Sequence, residues 1–179
     1  MSDYGLKKVS GYIADTQRCY QGNYYAIFPQ LSLSGDLGSG ISNQMILLLN
    51  SPGMEKTDTD NDNLTVTPFM QTSDSGYAVT ENDQTQGQYI LGAVSTNAIS
   101  ADSSDSDSED EDDESDATDT DTKTARLTVL ASASMISSDI TDQLTTLDNL
   151  TLFVNSVTEN FDNVNNVAIE AKSLSTETN

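Results

Sequence analysis

The 179-residue sequence contains no histidine and no tryptophan, and it has a single cysteine. Without histidine the chain can form neither a Ser-His-Asp triad nor a Cys-His pair, and it offers no imidazole to zinc or haem iron. One cysteine excludes an internal disulfide and a site with several thiolate ligands. The composition is therefore poorly suited to acid–base catalysis near neutral pH, and we predict a protein that is not an enzyme and needs no cofactor.

Basic residues are also scarce: seven Lys and Arg stand against 29 Asp and Glu, a formal net charge of −22. Phosphate groups would repel such a chain, so we expect no nucleic-acid partner and no attraction to anionic lipid. No apolar run approaches the roughly 20 residues that a membrane helix needs, so this stretch should not itself span a membrane. The N-terminal residues Met1–Gly5 lack the basic and apolar regions of a signal peptide.

The acidic residues are concentrated in one run. Residues 102–121 contain twelve Asp and Glu and no base, which predicts a disordered acidic insertion over residues 100–124. Apolar segments at 88–94 and 125–131 flank the run and are typical of strands. Because few residues follow it, and because a long loop adds little closure entropy, we predict a single domain over 1–179 that the insertion interrupts.

Short apolar segments alternate with candidate helices along the rest of the chain. Predicted strands cover 9–13, 24–28, 45–49, 64–71, 88–94, 125–131 and 167–171, and predicted helices begin near Met135 and Leu147. The second helix carries an apolar stripe of Leu150, Phe153, Val154, Val157 and Phe161. The continuous apolar run 45–49 indicates a strand covered on both faces. These patterns predict an α/β fold with a mixed or largely parallel sheet and flanking helices.

Ser132 and Ser134 lie between a predicted strand and a predicted helix. Such a turn can hold a ligand or an anion at the carboxyl end of a sheet. The simpler interpretation is a capped strand–helix turn, which the short Ser/Ala sequence favours because no glycine fingerprint or P-loop accompanies it.

Two further groups of residues are candidates for binding. Asp58, Asp60 and Asp62 alternate like the start of a calcium loop, but Asn63 replaces the sixth-position glycine and Phe69 the bidentate glutamate, so a solvated turn is favoured over weak Ca²⁺ binding. Tyrosine is common at interfaces, and a cluster of three tyrosines could form a partner contact or pack onto the core. The members of this cluster are Tyr20, Tyr24 and Tyr25.

Several segments in order resemble the gliding-motility-type (GldG-like) ABC transporter auxiliary proteins. Asp3–Asp15 is similar to the family's YGI segment followed by a strand that ends in Asp, Val66–Ser73 to its T-S turn, and Gln88–Val94 to its GPY strand. Ala125–Ser134 resembles "RLVVIGSS", and Asp148–Val157 resembles "N-x-DLFLNAVNWL". The resemblance covers nearly the whole chain except the acidic run.

The resemblance implies a fold like part of a class I amidotransferase, without catalytic residues. It further implies an extracytoplasmic accessory domain, tethered in its full-length parent by membrane helices that this sequence lacks. On that comparison the chain is the later part of the domain, and its partners are an ABC permease and an ATPase subunit. A binding module for a small ligand or Ca²⁺ is the alternative function that the residues leave open.

Overall fold

A computed structural model describes residues 1–99, 123–142 and 144–160. Its strands are β1 (Leu6–Lys8), β2 (Tyr12–Asp15), β3 (Cys19–Tyr20), β4 (Asn23–Ile27), β5 (Gln30–Leu31), β6 (Leu48–Leu49), β7 (Met54–Lys56), β8 (Leu64–Gln71), β9 (Gly76–Val79), β10 (Gln84–Gln86), β11 (Ile90–Ile99) and β12 (Lys123–Leu130). Its helices are α1 (Ser138–Thr141) and α2 (Asn149–Thr158), with 3-10 turns at Ser2–Tyr4, Gly35–Gly38 and Ala133–Ile136.

The largest sheet has six strands in the order β1-β7-β11-β8-β5, with β12 paired to β11. Strand β11 is its centre, and six successive residues from Ile90 to Ser95 are buried. Two smaller sheets have the orders β10-β9-β2 and β3-β4-β6. The main core contains residues from both sides of the acidic run, including Ile13, Phe69, Leu91, Met135 and Leu152.

The structure has helices and strands, as predicted, but the prediction of a mixed or largely parallel sheet is wrong. All strand pairings among the described residues are antiparallel. Parallel pairing needs a long crossover, usually a helix, and the strands of residues 1–99 are joined by turns and loops instead. These pairings give no support to a parallel sheet or to the amidotransferase-like fold that the resemblance implies.

The strand predicted over 45–49 forms only in part, because burial of its apolar residues does not require that all of them join a sheet. Only Leu48 and Leu49 form a strand. Ile46 and Leu47 are also buried, but the hydrogen-bond partner of the Leu47 backbone is a side chain of α2. A continuous apolar run can therefore be buried without entering a ladder.

Strands β11 and β12 pair over eight residues, from Gly92 with Leu130 to Ile99 with Lys123. The predicted insertion 100–124 was placed two residues too far, because Lys123 and Thr124 belong to β12. Residues 100–122 lie outside the described part of the chain, as does the predicted strand 167–171. Hydrogen bonding to β11 extends β12 to Lys123 and Thr124, which lie outside its apolar segment.

The helix predicted near Met135 is two short pieces, a 3-10 turn and α1, which bury Met135 and Ile140 while Ile136 stays exposed. The second helix, α2, forms where expected, but its orientation was predicted wrongly. Its buried residues are Asn149, Leu152 and Ser156, whereas three of the predicted core positions, Leu150, Val154 and Val157, are exposed. Within the described ranges no helix is long and apolar enough to cross a membrane.

Candidate functional site

The Ser132–Ser134 turn follows β12, and both hydroxyls are engaged inside the protein. The two Oγ atoms are 2.7 Å apart, and the Ser134 amide donates to Ser132 Oγ at 3.2 Å. Ser134 Oγ accepts a 2.9 Å bond from the Leu49 amide, while Ser132 Oγ donates to the Leu49 carbonyl at 3.4 Å. The turn thereby satisfies the backbone of β6, a structural use that agrees with the simpler interpretation of this motif.

Next to this turn, Asn149 of α2 pairs with the backbone of a segment more than a hundred residues earlier. Its Oδ1 accepts from the Leu47 amide at 2.9 Å, and its Nδ2 donates to the Leu47 carbonyl at 2.8 Å and to the Met135 carbonyl at 3.1 Å. The carboxamide thus replaces a neighbouring strand for Leu47. Only 1% of Asn149 is exposed, so these bonds satisfy polar groups that water does not reach.

Asp148 binds the same segment closer to its N-terminal end. Its Oδ2 accepts from the Asn43 amide at 3.0 Å, and its own amide donates to the Met45 carbonyl at 2.9 Å. Asn43 returns a bond from Nδ2 to the Thr146 carbonyl at 3.1 Å. We call residues 43–49 the strap. The start of α2 and the serine turn together fix its position and the rotation of α2.

A second buried polar cluster surrounds Asp15 at the end of β2. Asp15 Oδ1 accepts from the Gln17 and Arg18 amides, both at 2.9 Å, and from Ser73 Oγ at 2.8 Å. Its Oδ2 accepts from the Ser73 amide at 2.7 Å. Burial raises the pKa of Asp15, but the hydrogen bonds from Arg18, Ser73 and Gln17 outweigh it and leave the pKa below its ordinary value. Asp15 is therefore ionised at neutral pH, and its carboxylate joins the end of β2 to Ser73.

The structure does not gather the calcium candidates into a metal site. Asp58, Asp60 and Asp62 are all exposed in the loop between β7 and β8. Asn61 shapes this loop by accepting a 3.0 Å bond from the Asn63 amide. Among the residues that the structure describes, no group of three or more Asp, Glu, Cys or His is placed to hold an ion.

The three tyrosines do not share one surface. The ring of Tyr20 packs edge-on against Phe28, with centroids 5.9 Å apart. Tyr24 and Tyr25 are neighbours in β4, so their side chains point to opposite faces. Tyr24 is 50% exposed, whereas Tyr25 is partly buried. Of the three, Tyr24 is the residue best placed to meet a partner.

A cleft of about 330 Å³ lies between the N-terminal 3-10 turn and one face of the main sheet. Tyr4, Leu64, Asn97 and Leu127 contribute to its lining. Ser95 Oγ beneath it donates to the Tyr4 carbonyl at 2.9 Å, so this hydroxyl is already used to fasten the turn. The cleft is thus partly closed by a structural contact.

The most prominent unexplained surface is on α2. Leu150, Val154 and Val157 are 56%, 47% and 44% exposed and follow the spacing i, i+4, i+7. We call these three residues the outer stripe. Residues at this spacing form one face of a helix, so the outer stripe is a continuous apolar band. Bands of this kind mark contacts with other molecules when nothing else in the fold uses them.

Two of the residues that organise the structure could have been found from the sequence, and one could not. Asp15 and Ser73 both fall inside the segments that carry the family resemblance, the strand that ends in Asp and the T-S turn. Asn149 lies beside an apolar stripe and looks like a solvated residue at the start of a helix. Its role depends on Leu47, which is far away along the chain.

Comparison with known proteins gave no relative: no family model, no curated protein and no solved structure matches this chain.

Proposed function

We propose that this chain is a non-catalytic extracytoplasmic accessory domain of an ABC-type, gliding-motility-like transport system, and that it acts through protein contacts. The observation that carries the proposal is the outer stripe of α2, an apolar band on the surface of a chain with a net charge of −22. Exposed leucine and valine at helical spacing favour contact with a protein surface over attack on a small substrate.

The ordered resemblance to the transporter auxiliary proteins gives the contact its setting. It suggests that an ABC permease and a separate ATPase subunit are the partners, and that membrane helices of the full-length parent hold the domain outside the cytoplasmic membrane. The serine turn, which could have served a ligand instead, is occupied by the backbone of Leu49. This structural use favours the contact proposal over the small-ligand alternative.

The test is to isolate the full-length parent in mild detergent with its permease and ATPase. We expect the three to co-purify and expect Val154→Lys, which places a charge in the outer stripe, to weaken the association. Tyr12→Lys is the matched control, because Tyr12 is similarly exposed but lies on β2 and not on α2. Failure of the unaltered parent to associate with either subunit would refute the proposal.

A further inference from the structure

The outer stripe lies near β12, which is an edge strand of the main sheet among the described residues. Within the described residues β12 pairs with β11 alone, although it is eight residues long. Long edge strands are usually blunted by charges, bulges or proline, because their unpaired amide and carbonyl groups accept another strand. Besides Lys123 at its start, β12 has one charged residue, Arg126, which is paired with Glu159, so this edge carries little of that protection.

The register shows which backbone groups are available. The Ala131 amide donates to the Leu91 carbonyl at 2.9 Å, just beyond the pair of Leu130 with Gly92. In an antiparallel ladder, hydrogen-bonded positions alternate along the strand. Odd-numbered residues of β12 therefore bond to β11, and the backbone groups of Thr124, Arg126, Thr128 and Leu130 point to the open side.

Helix α2 runs along this same strand. Arg126 Nη2 lies 2.7 Å from Glu159 Oε2, and Thr128 Oγ1 bonds to Asn160 Oδ1 at 3.1 Å. The start of α2 meets Met135, which follows the other end of β12, through the Asn149 bond. The helix thus lies antiparallel to β12, over the sheet face on which Arg126 and Thr128 project.

The rotation of α2 places two residues of the outer stripe on the side of the β12 edge. Asn155 donates to the carbonyls of Leu37 and Ser39, at 3.1 and 2.7 Å. Leu37 lies beyond β5, which pairs with β8 on the opposite side of β11 from β12. Successive helical residues are about 100° apart, so Leu150 and Val157 lie on the flank away from Asn155, whereas Val154 points away from the buried face of the helix.

We propose that β12 and the outer stripe form one docking site for an extended segment of a partner protein, which adds a strand to β12. Its backbone would pair with the even-numbered residues of β12, and its apolar side chains on the helix side would pack beside Leu150 and Val157. The segment is apolar at alternate positions and carries Lys or Arg. The inference deepens the proposed function, on which it rests, by giving the partner contact a place and a chemistry.

The negative charge of the chain favours a basic partner. No Lys or Arg occurs between Leu127 and Asn160, a stretch that includes exposed Asp139 and Asp142 near Ile140. A cationic segment is attracted to this surface and to the chain as a whole, whereas a second copy, also at −22, is repelled. These charges favour a separate basic partner over self-association.

The test uses the full chain and a synthetic, amidated peptide, Lys-Lys-Thr-Val-Thr-Val-Thr-Val-Thr-Lys. Hydrogen exchange should show new protection of the amides of Thr124, Arg126, Thr128 and Leu130 when the peptide is added. The valines are the residues whose amides face β12, so a peptide with N-methylvaline in place of its valines cannot complete the ladder and should give no protection. Absence of protection with the first peptide at millimolar concentration would overturn the proposal.

Substitutions in the chain then show how β12 and the outer stripe each contribute to peptide binding. Thr128→Pro removes an outward amide without removing a bond to β11, and we expect it to raise the peptide Kd about tenfold. Thr128→Ala keeps the amide and is the matched control for the lost side chain. Val157→Lys should weaken binding, and Tyr12→Lys, at an exposed position of β2, should leave it unchanged; equal effects of the two would overturn the assignment to the outer stripe.

The free chain distinguishes the other occupants. Slow exchange at the four outward amides before any peptide is added would show an occupied edge and overturn the proposal. Sedimentation identifies that occupant: a dimer indicates a second copy, and a monomer indicates residues 161–179 of the same chain. If the peptide binds as expected but the parent does not associate with the permease and ATPase, the docking site stands and the transport function fails.

Discussion

Asp15 and Asn149 are both buried polar side chains, and each joins segments that are distant in sequence. Asp15 connects the end of β2 to the turn at Ser73, and Asn149 connects α2 to the strap at Leu47. The difference is charge. Asp15 is an anion that accepts from four donors, whereas Asn149 is a neutral amide that both donates and accepts. A carboxylate suits a site where only donors converge, and a carboxamide suits an unpaired stretch of backbone.

The largest effect should follow removal of Asp15. Asp15→Ala leaves the amide and hydroxyl of Ser73 without an acceptor in a buried site, together with the amides of Gln17 and Arg18. We expect a loss of about 3 kcal/mol in the free energy of unfolding, measured by urea denaturation. Asp74→Ala, next to the same turn but exposed, is the control. A loss of similar size in both variants would contradict this account.

Asn149→Ala should cost less, because the hydrogen bonds that it removes join neutral groups, whereas those to the Asp15 carboxylate are charge-assisted. The Leu47 amide and carbonyl lose their partner, and we expect a decrease of about 2 kcal/mol in the free energy of unfolding. The control is Asn155→Ala, whose bonds to the carbonyls of Leu37 and Ser39 lie nearer the surface. If Asn155→Ala proved the more damaging, the strap would not be what fixes α2.

Lowering the pH should reduce the stability that Asp15 contributes but not the stability that Asn149 contributes. The pKa of Asp15 is below its ordinary value in the folded chain, so the stability that Asp15 contributes is present above its unfolded-state pKa of about 3.9. That contribution is lost as the pH falls through the lower folded-state pKa.

Unfolding free energies of the unaltered chain and of Asp15→Asn should therefore converge below about pH 4, since the carboxylate advantage disappears. The difference between the two proteins is the quantity to measure, because protonation of the other acids relieves repulsion in both. Asn149→Ala should instead keep a constant offset from the unaltered chain over the same range. A pH-independent offset for Asp15→Asn would show that its charge does not matter.

The smallest effect belongs to the ion pair of Arg126 and Glu159. The side chains are 28% and 16% exposed, so water and salt screen their attraction only in part, and glutamine at 159 keeps an oxygen that can accept from Arg126. Glu159→Gln should lower the free energy of unfolding by only about 0.5 kcal/mol. The difference should shrink further when thermal unfolding is repeated in 1 M salt. An effect as large as that of Asn149→Ala would mean that the ion pair, and not the strap, positions α2.

The local pattern of the sequence predicted β8 and the presence of α2 well. Leu64–Gln71 forms a strand with the bounds expected, because β-favouring residues between turn signals need little help from elsewhere. The direction of pairing was not predictable in the same way. The short segments 45–49 and 88–94 fit a parallel or an antiparallel sheet equally, and the connections between strands decided it.

The rotation of α2 shows why the candidate site was incompletely predicted. Hydrophobic periodicity favoured burial of the face with Leu150, Val154 and Val157, which the structure leaves exposed. Asn149 overrides that preference because its amide satisfies the buried backbone of Leu47, which would otherwise be unpaired. The apolar residues turned outward by this constraint became the outer stripe.

The sequence alone determined what this chain is chemically: strongly acidic, without histidine, with a concentrated acidic run and an amphipathic helix at about residues 147–160. Those properties depend on composition and on neighbours a few residues apart. Only the tertiary structure decided that all the described strands pair antiparallel, that β12 pairs with β11 alone among them, and that α2 presents Leu150, Val154 and Val157 outward. These features depend on hydrogen bonds between groups far apart in sequence, such as Leu47 and Asn149, which no local pattern records.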